Sequence, residues 1–118
     1  MNAHNAPQQM MLSDYDINDP GALGTITIDR QLAIVEMVST AAQARTLANP
    51  DKPGLRLCIR MKTAGGDITL TAAHGLNVTG NTVATFADVG DQLDLISVSH
   101  STGFRWEILV NTHITLSS

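Results

Sequence analysis

The sequence predicts an all-β fold: a single antiparallel β-sandwich, or a jelly-roll-like or barrel domain, of about eight short strands. Two observations support this class. Thr occurs 13 times, Ile nine times and Val seven times among the 118 residues, and β-branched side chains favour extended structure. Short apolar or alternating runs are separated by Gly, Pro, Asn or Asp about every 10 residues, which is typical of sandwiches and barrels.

The first 23 residues differ from the rest of the chain. They combine Asn, Gln, Asp, Pro and Gly with scattered apolar residues, and they show neither a strand nor a helix period. We therefore expect an extended N-terminal arm over residues 1–23 and a β domain over 24–118. A wholly disordered tail would carry fewer apolar residues, so we expect the arm to contact a neighbouring chain. The expected contact residues are Met10, Met11, Leu12, Tyr15 and Ile17.

The beginning of the domain contains two predicted strands and one ambiguous segment. TITID (25–29) alternates between polar and apolar residues, and LAIVEMV (32–38) is apolar enough for a buried strand. AAQARTLANP (41–50) spaces Ala and Leu as a helix does, so we expect a short helix or a turn there. Pro50 and the residues after it end this segment, because proline cannot continue regular backbone hydrogen bonding.

The clearest strand is LRLCIRM (55–61), in which every second residue is apolar. Its predicted inward face consists of Leu55, Leu57, Ile59 and Met61. Further strands are predicted at DITLT (67–71), LNVT (76–79), TVATF (82–86), LDLISVS (93–99), FRWEILV (104–110) and NTHITLSS (111–118). AGGD (64–67) and HSTG (100–103) are predicted hairpin turns, and Gly90 is expected at positive φ.

The residues that carry chemistry in other proteins form no recognisable motif here. The single cysteine, Cys58, excludes an intrachain disulfide and a CxxC site, and we expect it to be a buried or half-buried strand residue. The four histidines form no HxH or HExxH pattern. We therefore predict no catalytic residue, no metal and no cofactor, and we expect a protein that is not an enzyme.

Two further motifs are interpreted as structural. Asp88, Asp91 and Asp94 surround a glycine, but the spacing of a calcium loop is absent, so turn capping is favoured. Trp106 and Tyr15 are the only Trp and Tyr. Trp106 lies within a predicted strand, where we expect it to fill the core rather than stack on a sugar.

Charge and hydropathy exclude two classes of partner. The net charge is −4 and no basic run is present, so a phosphate backbone would not be bound tightly. No apolar run approaches 18 residues, and the N-terminus lacks a signal-peptide pattern. We expect neither a nucleic-acid nor a membrane partner, and synthesis in a cytoplasm.

From Pro53 to Leu116 the chain resembles a group of small bacteriophage virion proteins. The resemblance rests on PGLRLCIRMKTAGGDITLT (53–71), GLNVTGNTVATFADVGDQLDLISV (75–98) and FRWEILVNTHITL (104–116). It covers a little over half of the chain. The matching positions are Thr85, Phe86, Val89, Gly90, Asp91, Leu93, Leu95 and Trp106.

The resemblance implies a capsid decoration (cement) protein, a β-rich and commonly trimeric virion protein. Such a protein binds the major capsid protein on the outer surface of the phage head and bridges neighbouring capsomers, after synthesis in the host cytoplasm. Two other classes stay open: a tail or baseplate adaptor, and a carbohydrate- or host-binding β-sandwich module. We expect deletion of residues 1–20 to abolish decoration while leaving the β domain folded.

Overall fold

A computed structural model describes residues 15–118, which form two five-stranded β-sheets packed against each other. The ten strands of this region are β1 (Asp16–Ile17), β2 (Thr25–Ile26), β3 (Leu32–Ser39), β4 (Gln43–Leu47), β5 (Arg56–Ala64), β6 (Ile68–Ala72), β7 (Val83–Phe86), β8 (Gln92–His100), β9 (Gly103–Thr112) and β10 (Thr115–Ser117). Sheet A has the order β1-β3-β5-β8-β9, and sheet B has the order β10-β7-β6-β4-β2.

The predicted all-β class is confirmed, and the two packed sheets are compatible with the predicted β-sandwich. The predicted antiparallel pairing is wrong for half of the ladders. The pairs β1–β3, β3–β5, β2–β4 and β4–β6 are parallel. The other four pairs are antiparallel, so both sheets are mixed. The strand count also differs, because β1 and β4 lie outside the predicted strands and the predicted strand at 76–79 is a loop.

The parallel half of the fold is built from three stacked coils. The chain alternates between sheet A and sheet B from β1 to β6, so each odd strand and the following even strand make one coil. Successive coils lie directly beside each other, with Ile34 opposite Cys58 in sheet A and Thr46 opposite Thr71 in sheet B. Parallel strands need such a crossover, since a tight hairpin can connect only antiparallel neighbours.

The AGGD turn is therefore a corner between the two sheets, and its prediction as a hairpin is wrong. A Cβ at Gly66 would lie 2.4 Å from the backbone of Ala41 and Ala42, in the corner of the preceding coil. The Ser39 hydroxyl donates to the Gly66 carbonyl over 2.6 Å and accepts from the amides of Gly65 and Gly66. The corners of the second and third coils thus pack backbone against backbone.

The second half of the fold is antiparallel, as predicted. β8 and β9 form a long hairpin through the HSTG turn, β7 pairs with β6, and β10 pairs with β7. Gly90 has a φ of 92° in the turn before β8, and the Asp91 carboxylate accepts from the amides of Ala87 and Asp88. The interpretation of the acidic cluster as turn capping is confirmed for Asp91.

Two local predictions are wrong. Residues 41–50, expected as a helix or turn, contain strand β4, because parallel neighbours on both sides supply its backbone partners. Residues 76–79, expected as a strand, belong to a loop. There the Asn77 side-chain oxygen accepts from the amides of Gly80 and Asn81, which closes a turn instead.

The core lies between the two sheets and follows the predicted alternation. Leu55, Leu57, Ile59 and Met61 are all buried, which confirms the inward face of β5. Phe86 from sheet B and Trp106 from sheet A supply the aromatic volume. The Trp106 indole N–H donates to the Ala48 carbonyl over 2.9 Å, so its polar group is satisfied inside the core.

Candidate functional site

The predicted partner-contact residues fall into two groups. Met10, Met11 and Leu12 lie outside the described residues, so their contacts stay a prediction. Tyr15 is half-buried at the first described position. Ile17 is in β1, where it is half-buried and packs against the core of its own chain. Ile17 thus helps to fix the N-terminal segment on its own domain.

Strand β1 makes the end of the predicted arm part of sheet A. Asp16 and Ile17 lie opposite Ile34 and Val35 of β3 in a parallel ladder. The predicted boundary at residue 23 therefore divides the first coil, because β1 precedes it and β2 follows it. Tyr15, the first described residue, directly precedes this edge strand of sheet A.

A buried ion pair between Asp19 and Arg45 fastens this segment to both sheets. Arg45 Nε donates to Asp19 Oδ1 over 2.6 Å, and Arg45 Nη2 donates to Asp19 Oδ2 over 2.8 Å. The Arg45 side chain is 0% exposed, and it also donates to the Val38 carbonyl of β3. Bidentate pairs of this kind fix the geometry of both partners.

The Asp19 carboxylate is held in its charged form. Its partial burial raises the pKa, but hydrogen bonds from Arg45 and from the amides of Val38 and Gly21 lower it more. The net result is a pKa below the ordinary value of 3.8. Asp19 therefore stays ionised, and the pair stays intact, throughout the neutral and mildly acidic range.

The sequence pattern does not predict this pair. Arg45 lies in an Ala-rich stretch that favours a helix or turn, and Asp19 lies in the segment predicted as an arm. The one usable signal is the position of Arg45 two residues before Leu47, on the same face of β4, since Leu47 is in the core. A cation on an inward face requires a buried anion nearby, but the sequence does not say which aspartate supplies it.

A shallow cavity of about 190 Å³ lies beside the pair, between β1 and the outer side of β3. Ile17, Ile34 and Val38 are its apolar lining residues. Its charged lining residues are the acidic Asp16, Asp19 and Glu36 and the basic Lys62. This arrangement lies where the N-terminal segment joins the sheet.

The two sheets present outer faces of different chemistry. The outer face of sheet A carries both signs of charge, among them Glu36, Arg56, Arg60, Asp94 and Glu107. Within residues 15–118, no outward-facing strand residue of sheet B is charged. Its outward-facing residues form two rows of cross-strand neighbours. One row consists of Thr25, Thr46, Thr71, Val83 and Ser117. The other consists of Ala44, Thr69, Thr85 and Thr115.

Two histidines meet at the end of the β8–β9 hairpin. The rings of His74 and His100 stack with centroids 5.0 Å apart and planes 13° apart. His74 Nδ1 donates to the Phe104 carbonyl over 2.8 Å, since a carbonyl can only accept. Because the two rings are nearly parallel, their nitrogens lie in parallel planes and do not converge on one metal ion. In the described part of the chain, no group of three or more potential ligands could hold a metal.

Two other candidate groups are constrained by their surroundings. Burial and the neighbouring Asp94 raise the pKa of the half-buried Cys58 thiol to about 12, so the thiol is protonated at neutral pH. Trp106 is 1% exposed and offers no ring face for sugar stacking. Across residues 15–118, we find no helix of the length and apolar character that a bilayer crossing requires.

Comparison with known proteins adds no relative: no family model, no curated protein and no solved structure matches the chain.

Proposed function

We propose that the chain is a structural virion protein that decorates a phage capsid. In this proposal a homotrimer binds the major capsid protein on the outer surface of the head and bridges adjacent capsomers. The observation that carries the proposal is the Asp19–Arg45 pair, which fastens an N-terminal segment with apolar residues to the margin of the two-sheet domain. The resemblance of residues 53–116 to small virion proteins supports the same function.

The Asp19–Arg45 pair gives the N-terminal segment a fixed attachment to its own domain. A segment that reaches a neighbouring molecule stabilises an assembly only if its other end is fixed. The bidentate contact and the β1–β3 ladder supply that fixed end. Met10, Met11 and Leu12 precede it by only a few residues, so they would reach a surface close to this edge of sheet A.

The stabilisation would come from repeated weak contacts. A trimer presents each contact three times, so the second and third bind at a high effective concentration. A protein that binds the assembled shell but not free capsid subunits shifts the equilibrium towards the shell by mass action. Neither effect needs a catalytic group or a cofactor.

Truncation of the segment tests the proposal. Deletion of residues 1–14 removes Met10, Met11 and Leu12 but keeps β1 and Asp19, so the domain should stay folded. Deletion of residues 1–8 is the matched control, since it shortens the chain but leaves those three residues in place. The measurement is co-sedimentation with capsids assembled from the major capsid protein of the same virus.

We expect the full chain and the 1–8 deletion to co-sediment with capsids and the 1–14 deletion to stay in solution. Equal binding by both truncations would exclude the arm contacts. Failure of the full chain to bind would overturn the capsid proposal itself. A copy number of only a few per virion would place the protein in the tail or baseplate instead.

A further inference from the structure

The first coil, formed by residues 15–28, is attached to the rest of the domain by short ladders. Strand β1 pairs with β3 only at Asp16 and Ile17, and β2 pairs with β4 only at Thr25 and Ile26. Longer ladders join the second coil to the third, from β3 to β5 and from β4 to β6. Within the described chain, β1 and β2 are also edge strands of their sheets. Segments with few backbone partners open more readily than strands in the middle of a sheet.

The connection between β1 and β2 contains a strained residue. Leu23 has a φ of 63°, in the left-handed region that side chains with a Cβ rarely adopt. Its side chain is 84% exposed, so packing does not fix this conformation. A hydrogen bond of 2.7 Å from the Leu23 amide to the Ala44 carbonyl holds the backbone in place. Opening of the first coil would relieve the strain, which lowers the free energy of opening.

Asp19 holds the same coil closed through contacts with strands of both sheets. Its carboxylate accepts from the Arg45 guanidinium of β4 and, over 2.9 Å, from the Val38 amide of β3. One side chain of the first coil therefore bridges two strands of the second. Loss of Asp19 alone would leave Arg45 as a buried cation without an anion, so this contact strongly favours the closed form.

The apolar side chains of the first coil keep an opened form rare. Ile26 and Ile28 are 1% and 6% exposed and belong to the core between the sheets. Their exposure to water on opening is unfavourable. The other buried core residues lie between Ala33 and Ile114, so they can stay packed when the first coil leaves.

We propose that residues 15–28 form a strap that opens as one unit while β3 to β10 stay folded, and that the Asp19–Arg45 pair is its latch. Opening would uncover the adjoining edges of β3 and β4. This device goes beyond the proposed function, because it concerns the domain alone. It would also release the attachment of the N-terminal segment without unfolding of the domain. Three backbone amides beside the uncovered edges donate to strap oxygens in the closed form, those of Val38, Thr46 and Ala48.

Native-state hydrogen exchange of the full chain, followed by NMR at urea concentrations below the unfolding transition, tests the strap. The amides of Val38, Thr46 and Ala48 report on its opening. The amides of Met61 and Ser97, which donate to the Asp91 and Leu55 carbonyls, report on unfolding of the whole domain. We expect the three strap reporters to share one opening equilibrium and one urea dependence. Their protection factors should be at least about tenfold lower than those of Met61 and Ser97.

Two substitutions distinguish opening of the strap from unfolding of the domain. Ile114→Val changes a core residue between β9 and β10, at the opposite margin of both sheets from the strap, so it destabilises the closed and opened forms alike. It should lower the protection of Met61 and Ser97 about fivefold and leave that of the strap reporters unchanged.

Asp19→Asn removes the latch from the closed form only. It should therefore lower the protection of the strap and domain reporters by the same factor, about a hundredfold. Glu107→Gln is the matched control, because it removes a carboxylate from the more exposed Arg105 pair and should change both groups of reporters little.

Equal protection of the two groups in the wild type would overturn the proposal, because the domain would then unfold as a whole. Different urea dependences among the strap reporters would exclude opening as one unit. A loss of strap protection in Ile114→Val that matches the loss at Met61 would likewise rule out a separate opening, and unequal factors in Asp19→Asn would contradict the latch. No capsid enters these measurements, so failure of the strap is distinguishable from failure of the proposed function.

Discussion

At the scale of single residues, Arg45 is the most unusual side chain of the described fold, because charged side chains are rarely buried completely. It is a fully buried cation, and its guanidinium donates to Asp19, Gln43 and the Val38 carbonyl. Removing one partner of a buried pair leaves the other without compensation, and that penalty exceeds the net value of the pair itself. The pair is thus more important for holding the segment in one position than for stability as such.

We predict that Arg45→Met lowers the free energy of unfolding by about 3 kcal/mol. Arg30→Met is the control, because the Arg30–Asp29 pair is largely exposed and should be worth at most about 1 kcal/mol. Urea denaturation followed by Trp106 fluorescence measures both. Equal effects of the two substitutions would show that burial of the Arg45 pair carries no special weight.

The low pKa of Asp19 predicts how stability changes with acidity. Because the folded-state pKa is below the unfolded value of 3.8, the contribution of the carboxylate is fully present above that value. It is lost as the pH falls through the lower folded-state pKa. We expect Asp19→Asn to reduce the slope of unfolding free energy against pH below about pH 4. An unchanged slope would contradict this account.

The burial of Trp106 distinguishes a core role from a binding role. Trp106→Ala should lower the free energy of unfolding by about 3–5 kcal/mol, because it leaves a large cavity and an unpaired Ala48 carbonyl. Trp106→Phe should cost less, since it keeps most of the ring volume and loses only the indole hydrogen bond. Denaturant unfolding of the two variants gives the comparison. Undiminished stability of Trp106→Ala would argue against a core role.

At the scale of elements, the sequence predicts the strands far better than their partners. The alternation in LRLCIRM identifies β5 and its buried face, because a strand with one buried face must alternate whatever lies beside it. Pairing depends on where the chain goes after each turn. A corner that crosses to the other sheet and a hairpin that returns to the same sheet both use Gly, Asn and Asp, so AGGD did not distinguish them.

Helix propensity gives a wrong prediction where neighbouring strands determine the structure of a segment. Ala-rich residues 41–50 favour a helix in isolation, but β2 and β6 pair with β4 on both sides. Backbone partners on two edges outweigh a weak local preference. The two-residue strand β1 is not predictable for a different reason, since it has too few residues to show a period.

The corner at Gly66 gives a prediction about the stacking of coils. A Cβ there would meet backbone atoms that cannot move aside, whereas one at Gly103 would meet nothing within 4 Å and only the strain of a φ of 138°. We expect Gly66→Ala to lower the free energy of unfolding by roughly 3 kcal/mol. Gly103→Ala should cost about 1 kcal/mol. Thermal or urea unfolding would test the order, and a reversed order would contradict the stacked-corner packing.

At the scale of the whole molecule, the candidate site could be predicted only in outline. The apolar residues of the N-terminal segment are visible in the sequence. The Asp19–Arg45 pair is not, because its members are 26 positions apart. Asp19 lies in the loop between β1 and β2, and Arg45 lies in β4 of sheet B. The uncharged outer face of sheet B is equally hidden, since it is assembled from five strands whose order the sequence does not reveal.

Because Asp19 and Arg45 are far apart in the sequence, a deletion at the N-terminus can destabilise a buried residue of sheet B. Deletion of residues 1–20 removes β1 and Asp19, so it leaves Arg45 as a buried cation without its anion. We therefore predict that this deletion, unlike deletion of residues 1–14, lowers the free energy of unfolding by roughly 3 kcal/mol or more. A folded β domain of lower stability is therefore the expected product of the 1–20 deletion.

A second substitution isolates the cause. In the 1–20 deletion, Arg45→Met should restore part of the lost stability, because an apolar side chain of similar length no longer requires a partner. In the full chain the same substitution should lower the free energy of unfolding, since it removes the cation that pairs with Asp19. Urea unfolding of the four proteins measures this change of sign. If Arg45→Met destabilised both backgrounds alike, the N-terminal segment would be held by β1 and Ile17 rather than by the ion pair.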